Sequence, residues 1–222
     1  QKAREADVIH IHGFGSWLDL LVLTRFWHGC PIVLTTHGGF YHTPARGFWK
    51  ALYRHAILPL ILWGVETVLF VGPEDERAFS SLVGQKGQRF PNSVNLSTYA
   101  SKTGKKSVSH SLFVGRLSQN KHVEKLLDAF AIVQKNNPHA RLHIVGDDWE
   151  GLATSLQYHA RSLGIEKTVV FHGKLLDTDL RKKYWECGLF VSASTYEGFG
   201  ISTIEAMAAG CVPVLNNIPS FH

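Results

Sequence analysis

The chain has 222 residues, of which 45% are hydrophobic and 18% charged, a composition typical of a globular protein with one or two domains. Its formal net charge of +5 suits anionic partners such as phosphorylated substrates, acidic lipids or nucleic acid. Of these, nucleic acid is disfavoured because the sequence lacks the interleaved basic and aromatic residues of an RNA-binding sheet, so we expect no nucleic-acid partner.

The cysteines Cys30, Cys187 and Cys211 lie far apart and lack the spacing of metal ligands. This predicts buried free thiols in a reducing, cytoplasmic compartment. The most apolar window, residues 56–71, is interrupted by a proline, a glycine and a glutamate. It is therefore too short and too broken to be a membrane span.

Short apolar strands alternate with helical patterns along the whole chain. The predicted strands are Asp7–Ile11, Pro31–Thr35, Thr67–Val71, Ser111–Val114, Arg141–Val145, Thr168–Phe171, Gly188–Val191 and Val212–Leu215. The predicted helices are Ser16–Trp27, Arg46–Trp63, Glu74–Val83, Val123–Asn136, Gly151–Leu163, Asp177–Glu186 and Ser202–Ala209. Because near-continuous apolar strands that alternate with helices form parallel sheets covered on both faces, the sequence predicts an α/β fold.

Residues 93–110 are rich in Ser, Thr and Lys and lack a periodic apolar face, which is typical of a linker. They divide the chain into two Rossmann-like units, residues 1–92 and 111–222. Two such units bind ligands in the cleft beyond the carboxyl ends of their strands. Both ends of the chain look cut, so we expect two incomplete domains within a longer protein.

The segment Thr35–His42 reads Thr-Thr-His-Gly-Gly-Phe-Tyr-His and follows a predicted strand. A lone histidine is more often structural than functional. His37, however, lies directly after a strand end and before two glycines, where it would face the predicted cleft. We interpret His37 as a ligand contact, while His42 could equally be a surface residue.

The segment Phe113–Lys121 reads Phe-Val-Gly-Arg-Leu-Ser-Gln-Asn-Lys. Its strand ends at a glycine, and the cations Arg116 and Lys121 follow near the start of the next helix. Two cations at the carboxyl end of a strand can neutralise a departing diphosphate. The alternative is that both are solvated surface charges.

The segment Ser194–Gly210 reads Ser-Thr-Tyr-Glu-Gly-Phe-Gly-Ile-Ser-Thr-Ile-Glu-Ala-Met-Ala-Ala-Gly and follows a predicted buried strand. It combines a glycine loop, a helix start and two carboxylates, Glu197 and Glu205. The unpaired amides of a helix start hold an anion such as a diphosphate, and carboxylates suit hydroxyl groups. A sugar nucleotide is therefore a natural ligand. The alternative for Glu205 is a capping box with Ser202.

The pattern Glu-Gly-Phe-Gly-Ile-x-x-x-Glu-Ala-Met-Ala-x-Gly resembles the signature of the retaining glycosyltransferases of family 4, which have the GT-B fold of two Rossmann-like domains. The chain is most similar to the branch with bacterial exopolysaccharide mannosyltransferases. The resemblance makes residues 1–92 the acceptor-side domain and residues 111–222 the nucleotide-sugar domain.

The resemblance also implies a role for each matching residue. The first glutamate, Glu197, would contact hydroxyls of the donor sugar, and Glu205 would bind the nucleotide ribose. The backbone of Gly198, Phe199, Gly200 and Ile201 would hold the diphosphate. Arg116 and Lys121 would clamp the donor phosphates, although the family usually has glycine where this chain has His122. His37 would hydrogen-bond the C6 hydroxyl of the hexose.

The implied reaction is the transfer of a hexose, mannose from GDP-mannose, to a hydroxyl of a glycan or a polyprenyl-linked saccharide. We expect no cofactor and no catalytic metal. Asp177-Thr178-Asp179 matches the DxD metal motif of another glycosyltransferase fold, but here it opens a predicted helix, where an N-cap with a favourable first-turn charge explains it. Two rival hypotheses are a non-hydrolysing sugar-nucleotide epimerase and a catalytically silent nucleotide-binding module.

The predicted helix Arg46–Trp63 mixes basic and aromatic residues. Such a helix can lie on an anionic membrane or pack on the sheet as an ordinary amphipathic helix. Because the family often acts on lipid-linked acceptors, the resemblance implies a possible peripheral contact with the inner face of the plasma membrane.

Overall fold

The computed structural model describes residues 5–38, 47–100 and 106–221. The chain folds into two compact units. The first contains the residues up to Asn92 together with Glu197–Phe199, and the second contains Ser93–Tyr196 and Gly200–Phe221.

The first unit is built on a four-stranded parallel sheet with the strand order β1-β2-β3-β4. Its strands are β1 (Ile9–His12), β2 (Ile32–Thr35), β3 (Thr67–Phe70) and β4 (Gly87–Arg89). Its helices are α1 (Ser16–Leu23), α2 (Arg25–His28), α3 (Gly47–Leu52), α4 (Leu58–Trp63) and α5 (Pro73–Val83). The core forms where apolar strand residues such as Leu34 and Val68 meet Leu18, Leu58 and Phe79 of the helices.

The helix predicted over residues 46–63 is interrupted, so the prediction of one continuous helix is wrong. A π-helical turn, Tyr53–Ile57, separates α3 from α4, and the Leu58 N–H bonds to the Tyr53 carbonyl five residues earlier. Pro59 lies in the first turn of α4 and has no N–H to donate to the carbonyl of His55. The hydrogen-bond register therefore loosens by one residue just before the proline.

The second unit has a five-stranded parallel sheet with the order β7-β6-β5-β8-β9. Its strands are β5 (Ser107–Val114), β6 (Arg141–Val145), β7 (Val169–Gly173), β8 (Cys187–Ser192) and β9 (Val212–Leu215). Its helices are α6 (Val123–Asn136), α7 (Ala153–Ser162), α8 (Asp177–Glu186) and α9 (Ile201–Ala208). The strand order reverses between β5 and β8, and such a switch point is where open α/β sheets bind ligands.

Apolar side chains cover both faces of this second sheet. Leu142 and Ile144 pack with Leu126 on the face covered by α6 and α7. Leu112 and Phe190 belong to the cluster on the opposite face, under α8 and α9. The predicted α/β architecture of parallel sheets is therefore confirmed, although β5 begins four residues before the predicted start of its strand.

Three histidines form a row across neighbouring strands of the second sheet: His110 on β5, His143 on β6 and His172 on β7. Nδ1 of His143 lies 3.0 Å from Nε2 of His172, and the ring centroids of His143 and His110 are 5.4 Å apart. Burial, together with the positive charge of Lys183, lowers the pKa of His143 to about 4. The His143 ring is therefore neutral in the folded protein at pH 7.

This depressed pKa makes stability depend on pH. His143 takes up a proton near pH 6.5 in the unfolded chain but only near pH 4 in the folded one, so stability falls as the pH drops through that window. We expect His143→Gln to reduce the loss of unfolding free energy between pH 7 and pH 5 by about 1 kcal/mol, after discounting for solvent screening of a half-buried ring. Urea unfolding at both pH values measures this, with the exposed His139→Gln as control. An unchanged pH dependence in His143→Gln would contradict it.

Candidate functional site

The loops after β5 and β6 are bonded backbone to backbone at the carboxyl end of the second sheet. Gly115 N–H donates to the Val145 carbonyl at 3.0 Å, and Leu117 N–H donates to the Asp147 carbonyl at 2.9 Å. Gly146 has a φ of 154°, and a Cβ there would lie 1.8 Å from the Gly115 oxygen. Only glycine allows this approach of the two loops. No local sequence pattern marks this requirement for glycine, because the backbone that Gly146 meets belongs to a different loop.

The two predicted phosphate-binding cations lie in the loop after β5. The exposed Arg116 guanidinium lies 5.6 Å from the centroid of the Trp149 ring, in cation–π geometry. Lys121 ends a 3₁₀ turn, Gln119–Lys121, and its Cε would lie 3.7 Å from a Cβ added to Gly115. Both side chains therefore lie near the carboxyl end of β5, within the second unit.

His122 explains why glycine suits the position after the lysine. It precedes α6 and adopts the left-handed conformation, with a φ of 47°. Residues other than glycine rarely adopt that backbone conformation. Nδ1 of His122 lies 2.8 Å from the Glu124 carboxylate, a contact that helps to hold the ring.

The loop after β8 meets the loop after β5. Thr195 N–H donates to the Asn120 carbonyl at 3.0 Å, and Asn120 Nδ2 donates to the Tyr196 carbonyl at 3.4 Å. The hydroxyls of the buried Ser192 and Ser194 are 2.9 Å apart and brace the start of this loop. The structure thus brings the segment with Arg116 and Lys121 next to the start of the segment Ser194–Gly210, at the switch point of the sheet.

Helix α9 begins at Ile201, directly after Gly200 in the left-handed conformation with a φ of 78°. Gly200 is the N-cap, so the capping box suggested for Ser202 and Glu205 is wrong, because Glu205 lies two residues beyond the N3 position, which Thr203 occupies. No side chain in the described part of the chain caps this helix start. Its first amides carry the positive end of the helix dipole, which favours an anion there.

Glu205 is held instead by buried tyrosine. The Tyr184 hydroxyl donates to Oε2 of Glu205 at 2.9 Å. Burial, and next the charge of Glu205, raise the pKa of Tyr184. Burial and a hydrogen bond with Glu205 raise the pKa of Tyr99 to about 12. The sequence analysis missed both tyrosines because they lie distant in sequence from the motif.

His37 lies in the first unit, directly after β2, and adopts a φ of 46°. Its Nε2 lies 2.7 Å from Nδ1 of His12 at the end of β1. Burial, and next the charge of His12, lower the pKa of His37. The buried Asp75 holds the adjoining loop, since it accepts hydrogen bonds from the Thr36 hydroxyl and, at 2.9 Å, from Gly38 N–H.

The predicted site residues are divided between the two units. His37 belongs to the first unit, with which Glu197–Phe199 also group by contacts, whereas Arg116, Lys121 and the α9 residues belong to the second. In the first unit, burial and the charge of Asp75 raise the pKa of Glu74, and Glu197 makes a smaller contribution. His42 lies outside the described residues.

The segment with the DxD pattern lies at the start of α8, where Leu176 is the N-cap. The expected N-cap is therefore wrong, whereas the expected first-turn charge is confirmed, because both aspartates lie inside the first turn. Asp179 also pairs with Lys182 at 2.8 Å. Within the described ranges, no group of three or more His, Cys, Asp or Glu side chains is arranged to hold a metal ion. Within those same ranges, no helix has the length and apolar character needed to cross a bilayer.

Two family models match the chain in succession. The model described as Glycosyltransferase Family 4 matches residues 1–98, and the model described as Glycosyl transferases group 1 matches residues 99–222. Fold and sequence together thus define the glycosyltransferase class of α/β proteins, as the resemblance predicted. The chain belongs to the family Glycosyl transferases group 1, whose model matches more than half of its length.

Curated relatives of similar sequence include two bacterial proteins named GDP-mannose:cellobiosyl-diphosphopolyprenol alpha-mannosyltransferase. The protein from Xanthomonas oryzae pv. oryzae is 32% identical over 98% of this chain and 58% of its own length. The one from Komagataeibacter xylinus is 28% identical over 97% of this chain and 55% of its own length. The chain thus spans a little over half the length of these relatives.

Solved structures share the fold. The Anabaena protein HepE in complex with UDP and glucose superposes with a TM-score of 0.81 at 23% identity, over 100% of this chain and 62% of that one. Sucrose-phosphate synthase from Thermosynechococcus elongatus superposes with a TM-score of 0.77 at 19% identity, over 98% of this chain and 58% of that one. Together with the parallel sheets, these likenesses confirm the predicted GT-B architecture.

Proposed function

We propose that this chain forms part of a retaining glycosyltransferase that moves a hexose, mannose from GDP-mannose, to a hydroxyl of a glycan or polyprenyl-linked saccharide. The observation that carries the proposal is the bond from Thr195 N–H to the Asn120 carbonyl. It joins the loop after β5, which carries Arg116 and Lys121, to the loop after β8. The names of the relatives from Xanthomonas and Komagataeibacter support both the donor and the lipid-linked acceptor.

In this proposal the diphosphate of the donor binds at the start of α9. The amides after Gly200 and the positive end of the helix dipole attract the anion. Arg116 and Lys121 then balance the negative charge that develops on the diphosphate as the glycosidic bond to it breaks. Fixed positive groups of this kind lower the barrier because they need no reorganisation during the reaction.

The carboxylates and His37 hold the rest of the donor. Each carboxylate accepts hydrogen bonds from two neighbouring hydroxyls, Glu205 from the ribose and Glu197 from the hexose. His37 contacts the C6 hydroxyl, and its bond to His12 fixes the orientation of the ring. Positioning of the donor by these groups supplies part of the rate acceleration.

The rival hypotheses differ in what they predict. A sugar-nucleotide epimerase finds no support among the relatives described above, whose names are those of glycosyltransferases. A silent nucleotide-binding module would bind a nucleotide but transfer no sugar. Binding and transfer must therefore be measured separately.

The choice of nucleotide base can be tested by thermal shift with GDP, UDP and ADP at equal concentration. Ligands that bind only the folded state raise Tm, and at ten times Kd the expected rise is about 3–5 °C. We expect the largest rise with GDP, and a smaller rise with every nucleotide in Glu205→Ala. The exposed Glu166→Ala is the matched control and should behave as the wild type. A larger shift with UDP than with GDP would refute the GDP donor.

The donor-sugar role of Glu197 predicts a separation of binding from transfer. We expect Glu197→Ala to lower kcat for transfer of radiolabelled mannose at least about 100-fold, because the carboxylate orients the reacting sugar. GDP affinity should change less than about twofold, since the nucleotide alone lacks the hexose. Full transfer by Glu197→Ala would eliminate this role, and no transfer by the wild type with intact GDP binding would favour the silent module.

We also propose that the first unit touches a membrane surface through exposed aromatic residues on α1, α2 and α4. Trp17, Phe26 and Trp63 are 74%, 76% and 82% exposed. Arg25 links α2 to the end of α4 through a 2.7 Å bond to the Gly64 carbonyl, and its guanidinium also pairs with Glu66 at 3.1 Å. Exposed aromatic rings of this kind suit the interface of a bilayer. A polyprenyl-linked acceptor would be reached from such a surface.

Vesicle binding tests this contact. We expect the variant Phe26→Ser/Trp63→Ser to bind vesicles of phosphatidylcholine and phosphatidylglycerol at least about tenfold more weakly than the wild type, because each ring buries apolar area in the interface. Trp149→Ser, which removes a similarly exposed tryptophan from the second unit, should bind like the wild type. Equal binding by all three proteins would exclude this surface.

A further inference from the structure

The Glu205 carboxylate accepts a hydrogen bond from a side chain in the protein core. Tyr184 lies on α8 with 0% of its surface exposed, and its hydroxyl reaches Oε2 of Glu205 at 2.9 Å. The same hydroxyl lies 3.3 Å from the Ser202 carbonyl on the first turn of α9. A buried phenol needs a hydrogen-bond partner. The bond between this hydroxyl and the Glu205 carboxylate therefore fixes the position of both groups.

A second tyrosine lies beside this pair. Tyr99 follows the 3₁₀ turn Leu96–Thr98, and burial, followed by its interaction with Glu205, raises the pKa of its phenol to about 12. Its ring meets the Tyr184 ring edge-on, with centroids 5.6 Å apart and planes at 89°. Trp185 Nε1 donates to the Tyr99 carbonyl at 2.9 Å and anchors its backbone.

The bond from Tyr184 leaves part of the accepting capacity of the Glu205 carboxylate unused. An ionised carboxylate has about four lone-pair sites, and the Tyr184 phenol occupies one of them. The position of that phenol, against which the Tyr99 ring packs, fixes the directions of the other lone pairs. A pair of adjacent hydroxyls is a ligand that such a carboxylate suits.

We infer that Tyr184 and Tyr99 are positioning residues that aim the Glu205 carboxylate at the two hydroxyls of the nucleotide ribose. The inference rests on the proposed function only in taking the ribose as the partner of Glu205. Neither tyrosine touches the reacting bond. Their loss therefore weakens nucleotide binding and leaves the chemical step nearly unchanged.

The test compares GDP with 2′,3′-dideoxy-GDP, which lacks both ribose hydroxyls, by calorimetric titration. We expect the wild type to bind GDP at least about tenfold more tightly than the dideoxy analogue, as loss of hydrogen bonds to a charged group implies. Tyr184→Phe and Tyr99→Phe should each lose about fivefold in GDP affinity and bind the analogue as the wild type does. In transfer assays KM for the donor should rise by the same factor, with kcat within about twofold.

The controls separate positioning from a structural role. Tyr158→Phe, on the exposed face of α7, should match the wild type with both ligands. Equal weakening of GDP and the analogue in the Tyr184 and Tyr99 variants would overturn the inference, because damaged structure does not distinguish the ligands. Unchanged discrimination in those variants would overturn it too. Should Tyr184→Phe fail to fold, the less buried Tyr99→Phe decides the question by the same criteria.

The proposed function can fail separately. If the wild type binds GDP and the dideoxy analogue equally, Glu205 does not bind the ribose, and the inference falls with that assignment. If the wild type discriminates and the two tyrosine variants discriminate as well as it does, the ribose assignment stands and only the positioning role is refuted.

Discussion

The hydrogen bond from Thr195 N–H to the Asn120 carbonyl is the constraint on which the second unit's site depends. In an open parallel sheet, the chains leaving two adjacent strands at the switch point turn to opposite faces. Left alone, the loops after β5 and β8 would diverge. This bond, together with the bond from Asn120 Nδ2 to the Tyr196 carbonyl, holds the two loops at one edge of the sheet. The start of α9 is thereby kept on the same side as Arg116.

Two of the segments proposed to meet the donor are held in place by buried polar side chains. Tyr184 comes from the core to reach Glu205, and the buried Asp75 ties the loop of His37 to the first turn of α5. Each arrangement satisfies a buried polar group that would otherwise cost free energy. Glu205 and the loop of His37 are therefore fixed by contacts with buried residues, as a preorganised site requires.

Local pattern was enough to predict the α/β architecture, because the apolar strands and amphipathic helices carry their own periodicity. It failed where long-range contacts decide. β4, Gly87–Arg89, has no apolar residue and forms only because β3 offers it a paired edge. Three of the first four residues of β5 are polar, and this part of the chain forms a strand because Ser107 pairs with Cys187 of β8.

The candidate site shows the same division. The two acidic residues and the two cations can be picked out by their spacing within single segments of the sequence. The tyrosines around Glu205 could not be chosen that way, because Tyr99 and Tyr184 meet only through the tertiary fold. The π-helical turn before Pro59 was foreseeable in principle, since a missing N–H donor always disturbs a helix, but a periodicity argument ignores hydrogen bonds.

The contact between Gly146 and the Gly115 carbonyl has a consequence for adaptability. Backbones in such close apposition cannot slide apart without breaking the two hydrogen bonds beside them, so the loops after β5 and β6 form a single mechanical platform. Ligands of different size would then be accommodated by movement of the long side chains of these loops, and not by movement of the backbone. Evolution of new ligand preferences within this scaffold would accordingly proceed by exchanging such side chains while Gly146 stays in place.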